Sequence, residues 1–200
     1  MTTAVIMDMG IIREYARIAA VVDGHARDEN EDALLSFATA KHGQCEAIQM
    51  HAGKHLIRLH SAKGDDGALD GLRHIATNWE FAQATRDDAG LKLIDMHSHG
   101  RDMDFHAIKW LAINERCTPV TRDTAGTKLI NFYATCGDVS GMRNGLDSIA
   151  NDTCFTSATR QAARNRLDAF GLARKHSEEA RALDKRHPQD LKPAAKRISN

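Results

Sequence analysis

The sequence predicts an all-α chain, an α-α superhelix (solenoid) of about four to five helical hairpins stacked on one another. Three observations lead there. Ala and Leu are plentiful, while only three prolines occur in 200 residues and aromatics make up 5%, a balance that favours helix over a β-sandwich. A phrase recurs: Thr85-Arg-Asp-Asp-Ala-Gly-Leu-Lys-Leu-Ile94 returns 36 residues later as Thr121-Arg-Asp-Thr-Ala-Gly-Thr-Lys-Leu-Ile130, differing only at Asp88/Thr124 and Leu91/Thr127. Each copy also holds two apolar-periodic stretches of about 12 to 15 residues, long enough for helix and too long for strands.

Taken in order, the first hairpin is anchored at Val21-Val22, followed by His25 and Ala26, a polar break Arg27-Asp-Glu-Asn30, and the small-apolar pair Ala33-Leu34. The second starts from Ala52-Gly-Lys-His-Leu-Ile57, continues through His60 and Ser61, breaks at Lys63-Gly-Asp-Asp66 and resumes at Ala68-Leu69. The third runs through Ile94, His97 and Ser98 to a break at His99-Gly-Arg-Asp102, with its small residue, Ala107, two positions late. The fourth carries Ile130, Tyr133 and Ala134, breaks at Cys136-Gly-Asp138 and resumes at Gly141-Met142. A fifth, poorer copy starts near Ala158, with Ala162, Ala169 and Phe170 at the matching offsets. Gly closing one helix and Asp opening the next is sound capping chemistry. The whole chain, 1–200, therefore reads as one repeat domain, with copies at about 15–49, 50–86, 87–122, 123–150 and 151–176 and a basic tail over 177–200.

Charge and cysteine usage narrow the class. The formal net charge is zero, but residues 159–200 hold 11 Lys+Arg against 5 Asp+Glu, so the rest of the chain is acidic by the same margin. Such a basic end can meet phosphate or an acidic partner, and it also suits a solvated terminus. Cys45, Cys117, Cys136 and Cys154 show no Cys-x-x-Cys spacing, which speaks against a zinc ribbon or a thioredoxin-like motif and for reduced, mostly buried thiols of an intracellular protein. No apolar run reaches the ~20 residues of a membrane span, and no secretory or organelle-targeting pattern stands at the start. Trp79 and Trp110 are expected to fill core or junction, and the Arg160-Arg164 and Glu178-Glu179 groups to form solvated helix faces.

The period and phrasing resemble the pentatricopeptide repeat family. Thr118-Pro-Val-Thr121 leading into Lys128-Leu-Ile-Asn-Phe-Tyr-Ala-Thr-Cys-Gly-Asp-Val139 is similar to that family's repeat junction, first helix and inter-helix glycine. Val21-Val-Asp-Gly-His-Ala-Arg-Asp28 resembles its first-helix phrase; Glu31-Asp-Ala-Leu34 and Leu167-Asp-Ala-Phe-Gly-Leu172 resemble its second-helix phrase. The likeness spans roughly residues 15–176, with copy spacings that drift and without the family's Leu-Phe-x-x-Met ending. Ankyrin repeats are the rival, through the Gly126-to-Gly137 spacing, although their Thr-Pro-Leu-His signature is absent.

The resemblance implies single-stranded RNA as the partner, one base read per repeat by a residue early in the first helix and by the residue closing the repeat. Carried over, the early positions are Ala19, Lys54, Leu91 and Thr127, and the closing ones Gln49, Arg86 and Arg122. Of these, Lys54, Arg86, Arg122 and Thr127 are the expected RNA-binding residues, the three cations suiting phosphate and Thr127 a base edge. The alternative is a protein-interaction solenoid holding a peptide in the same groove. A third reading, a metal-dependent hydrolase, rests on Asp95-Met-His97-Ser-His99. In a helix, residues two apart point about 200° from one another, so Asp95 and His97 cannot share an ion there. His97 instead aligns with His25, His60 and Tyr133 as a packing position. No nucleotide-binding, serine-hydrolase or His-Glu-x-x-His motif is present. The expectation is a non-enzymatic binding protein with no catalytic residue, metal or cofactor.

Overall fold

The computed structural model describes residues 9–39, 45–63, 66–98, 103–135 and 138–186. Those residues form an all-α protein of nine helices: α1 (Met9–Arg27), α2 (Glu31–Ala38), α3 (Glu46–Lys63), α4 (Asp66–Thr77), α5 (Gln83–Ser98), α6 (Phe105–Ile113), α7 (Pro119–Thr135), α8 (Val139–Asn151) and α9 (Ser157–Arg186). Extended pairing is limited, among the described residues, to one isolated bridge between Thr39 and Phe81.

The helix boundaries follow local chemistry. α1 gives way to α2 across the polar Arg27-Asp-Glu-Asn30, where Asn30 caps α2 by accepting the Ala33 N–H at 3.1 Å. Asp104 caps α6 in the same way through Ala107 N–H, and Asp138 caps α8 by accepting from Ser140 and Gly141 at 3.0 and 2.8 Å. Replacing Asp138 with Ala is expected to cost about 1 kcal/mol. In parallel urea melts, Asp147→Ala, which removes only an exposed i,i+4 pair with Arg143, should change stability by less than about 0.5 kcal/mol. Residues 40–44, 64–65, 99–102, 136–137 and 187–200, with parts of three breaks and the end of the basic tail, lie outside the described residues.

A second device joins α4 to α5, α6 to α7 and α8 to α9. Asn78, Asn114 and Asp152 each turn the chain by accepting the N–H two residues on, from Glu80, Arg116 and Cys154. Three residues after each lies a side chain that is 3% exposed: Phe81, Cys117 and Phe155. These plugs correct two expectations. Trp79 stands at the α4–α5 junction but is 79% exposed, because Phe81 already fills the space beneath, and Trp110 on α6 is 40% exposed. Of the described cysteines only Cys117, the plug, is buried, its thiol pushed up to about 11 by desolvation, while Cys45 and Cys154 are exposed.

Every substantial helix–helix contact joins elements one or two apart along the chain. The odd helices pack in series, α1 on α3, α3 on α5, α5 on α7 and α7 on α9, and each even helix sits against the odd helices before and after it. One cluster of buried apolar side chains runs through all of them, from Val22 on α1 to Ala163 on α9. Residues 151–176, expected as a fifth copy, cover the end of α8, a short connection and the first part of α9, which runs on uninterrupted to Arg186. Only Gly171 punctuates that stretch, and no Asp or Asn cap follows it.

Candidate functional site

The recurring Thr-Arg-Asp tripeptide turns out to be interlocking machinery. Thr85 opens onto Gly53 of α3, Thr121 onto Gly90 of α5 and Thr159 onto Gly126 of α7, each close enough that a Cβ on the glycine would overlap the threonine side chain. Those threonines are 1%, 1% and 4% exposed. Asp87 and Asp123 then accept the hydroxyls of Thr118 and Thr156. Each of these two threonines also caps its own helix, accepting the Thr121 N–H at 3.3 Å and the Thr159 N–H at 3.1 Å.

The arginines complete the interlock. The Arg86 guanidinium donates to the Arg116 carbonyl, and Arg122 donates to the Cys154 carbonyl at 2.8 Å and toward the Ala112 carbonyl at 3.4 Å. Arg164, itself exposed as expected, donates to the Ala150 carbonyl at the end of α8 at 3.1 Å. The Ala112 and Ala150 carbonyls lie in the last turns of α6 and α8, where a cation is favourable in charge as well as in hydrogen bonding. Arg86 and Arg122, expected from the sequence to meet phosphate, are therefore half-buried and engaged with backbone.

Lys54 and Thr127 stand differently. Each directly follows the glycine of a Gly–Thr contact, and each is exposed, as is Leu91 at the matching place on α5. The Thr127 hydroxyl donates to the Asp123 carbonyl at 2.9 Å, leaving its lone pairs for a further donor. Ala19, the supposed fourth member, packs against the core. Lys54, Leu91 and Thr127 thus share one phase on three serially packed helices, whereas Arg86 and Arg122 belong to the interlock.

The Asp95/His97/His99 motif falls where helical geometry divides it. Asp95 is exposed near the end of α5, His97 is turned inward with its side chain 9% exposed, and His99 lies outside the described residues. His97 Nδ1 is 3.4 Å from the carboxylate of Asp104, the α6 cap, and burial holds its pKa below the usual histidine range against that charge. The residues aligned with it also meet the following even helix: His25 faces Phe37 on α2, His60 lies over Gly71 on α4 and Tyr133 over Gly145 on α8.

A different set of ligand-type side chains does converge. His51 and His55, one turn apart on α3, both direct Nε2 at Oδ1 of Asp23 on α1, at 2.8 and 2.9 Å. The i,i+4 spacing of the two histidines stands in the sequence, but nothing local ties them to a residue 28 positions before His51.

None of the family models, curated proteins or solved structures compared with the chain matches it. Among the described residues no helix is long and apolar enough to cross a membrane.

Proposed function

We propose that this chain is a non-enzymatic binding protein of the pentatricopeptide kind, an open α-α superhelix whose odd-helix face takes single-stranded RNA. The observation that carries this reading is the exposed row of Lys54, Leu91 and Thr127 on α3, α5 and α7. The serial packing of odd helices, with contacts confined to near neighbours in sequence, supports a solenoid, because each hairpin then finds its apolar partner in the next. One side chain per hairpin on adjacent helices is the arrangement that reads one base per repeat. In this reading Lys54 serves phosphate, Thr127 a base edge, and Leu91 offers only an apolar surface against which a base can lie. Arg86 and Arg122 act through the fold, by holding the turns beside the face.

A protein partner is the second reading, and one observation favours it. α5 presents Asp88, Leu91 and Asp95 to solvent, an acidic and apolar stretch better suited to a peptide than to phosphate.

Fluorescence anisotropy with several labelled oligoribonucleotides at two salt concentrations tests the proposal. Lys54→Ala is expected to weaken all sequences alike and to make the salt slope shallower by roughly 0.7, one lost phosphate contact. Thr127→Ala should change the preference at one base with the slope unaltered. Absence of binding at low salt removes the RNA reading, and salt-insensitive capture of peptides would put the second in its place.

A further inference from the structure

We infer that Asp23, His51 and His55 form a binding site for a zinc-class divalent cation that clasps α1 to α3. This inference is independent of the RNA reading and rests on convergence. The three side chains each offer one ligand atom, and these atoms all lie within 4.8 Å of one another. The two imidazoles meet edge to face, their centroids 4.8 Å apart, so their Nε2 atoms approach one point from different directions. Three donors about 2.0–2.2 Å from a tetrahedral ion would stand roughly 3.3 Å apart. The observed 2.8 and 2.9 Å from Nε2 to the carboxylate oxygen are therefore only a few tenths of an ångström short of that spacing.

Two imidazoles and one carboxylate are the donor set of three-ligand zinc sites, in which a fourth position is left to water or to an outside group. The half-exposed Asp23 and the 31% and 19% exposed histidines leave that position facing solvent. The site also has a structural use. Among the described side chains of α1 only Val22 is fully buried, with Ile18, Ala19 and Ala26 partly buried against the core, so a further tie to α3 would add to a modest apolar contact. An ion bound by both helices favours the folded state by mass action. Without the ion each imidazole donates its Nε2–H to the same Asp23 oxygen, whereas an ion bound at Nε2 requires the tautomer that carries the ring proton on Nδ1.

The test uses the full chain, stripped with chelator and titrated with Zn²⁺ alone and, separately, with Co²⁺. One equivalent of Zn²⁺ is expected to bind and raise the midpoint of thermal unfolding, and Co²⁺ should give the intense visible absorption of a tetrahedral site. His51→Gln and His55→Gln should each weaken Zn²⁺ binding by more than the roughly 100-fold that losing an outer hydrogen-bond partner of a ligand costs. His106→Gln, on the exposed side of α6, should bind as the parent does. His51 and His55 are partly exposed and outside the buried core, so helical circular dichroism should be the same in all variants, which separates ligand loss from unfolding. Failure to bind one equivalent, or unchanged binding and Co²⁺ spectrum in the doubly substituted His51→Gln/His55→Gln protein, would overturn the inference and leave a purely hydrogen-bonded trio.

Discussion

Leu93→Ala is expected to lower the free energy of unfolding by about 2–5 kcal/mol, the largest effect of any single truncation considered for this chain. Leu93 is fully buried on α5, the middle odd helix, which packs against α3 and α4 on one side and α6 and α7 on the other. Truncation removes the transfer energy of the lost carbons and leaves a cavity that helices held on both sides close only partly. For a domain with a net stability of about 5–15 kcal/mol this is a large share. The control is two residues away: Leu91→Ala, on the exposed face of the same helix, should change stability by about 0.5 kcal/mol or less. Urea denaturation followed by circular dichroism reads both. Equal losses at 91 and 93 would mean that α5 does not sit in the core as described. Because each helix touches only near neighbours, the Leu93 variant is also expected to melt less cooperatively than the parent, with early loss around α5.

Gly90→Ala should destabilise by about 1–3 kcal/mol although it adds only a methyl group to an otherwise favourable helix position. The added Cβ would overlap both the hydroxyl and the methyl of Thr121, which is itself 1% exposed and held by its own helix. α5 and α7 must then move apart. Gly24 and Gly171 supply the contrast, since a Cβ at either would meet nothing within 4 Å, and Gly→Ala there should stabilise by about 0.5–1 kcal/mol through helix propensity alone. Combining Gly90→Ala with Thr121→Ala removes the overlapping atoms beyond Cβ, so the double variant should lose less than the two singles together. Simple additivity would show that the cost at Gly90 does not come from this contact.

The two substitutions bear on function through the same geometry. Lys54, Leu91 and Thr127 each follow the glycine of a Gly–Thr contact, except that Leu91 and Thr127 also lie beside the residues capped and pinned by the Thr-Arg-Asp interlock. Whatever spreads the odd helices changes the spacing of the exposed row. A partner that bridges successive hairpins should therefore lose affinity in Gly90→Ala even under conditions where the protein remains folded.

Much of this was legible along the chain because it is decided locally. Helix content follows from apolar period and propensity, and the α1–α2 and α7–α8 turns follow from short polar breaks whose Asn30 and Asp138 side chains reach only two or three residues onward. The burial of His60 and His97 likewise follows from their phase on those helices. The roles of the charged residues could not be read in that way. Arg86 and Arg122 look like phosphate ligands until the carbonyls they hold, 30 and 32 residues away, are in place. Asp23 joins His51 and His55 only because α1 packs across α3. The physical reason is range. Backbone propensity and capping act within one helical turn and so leave their mark on neighbouring residues. A guanidinium or imidazole is free to take any partner within reach, and which one it meets is settled by the packing of the Gly–Thr contacts and the apolar core between helices.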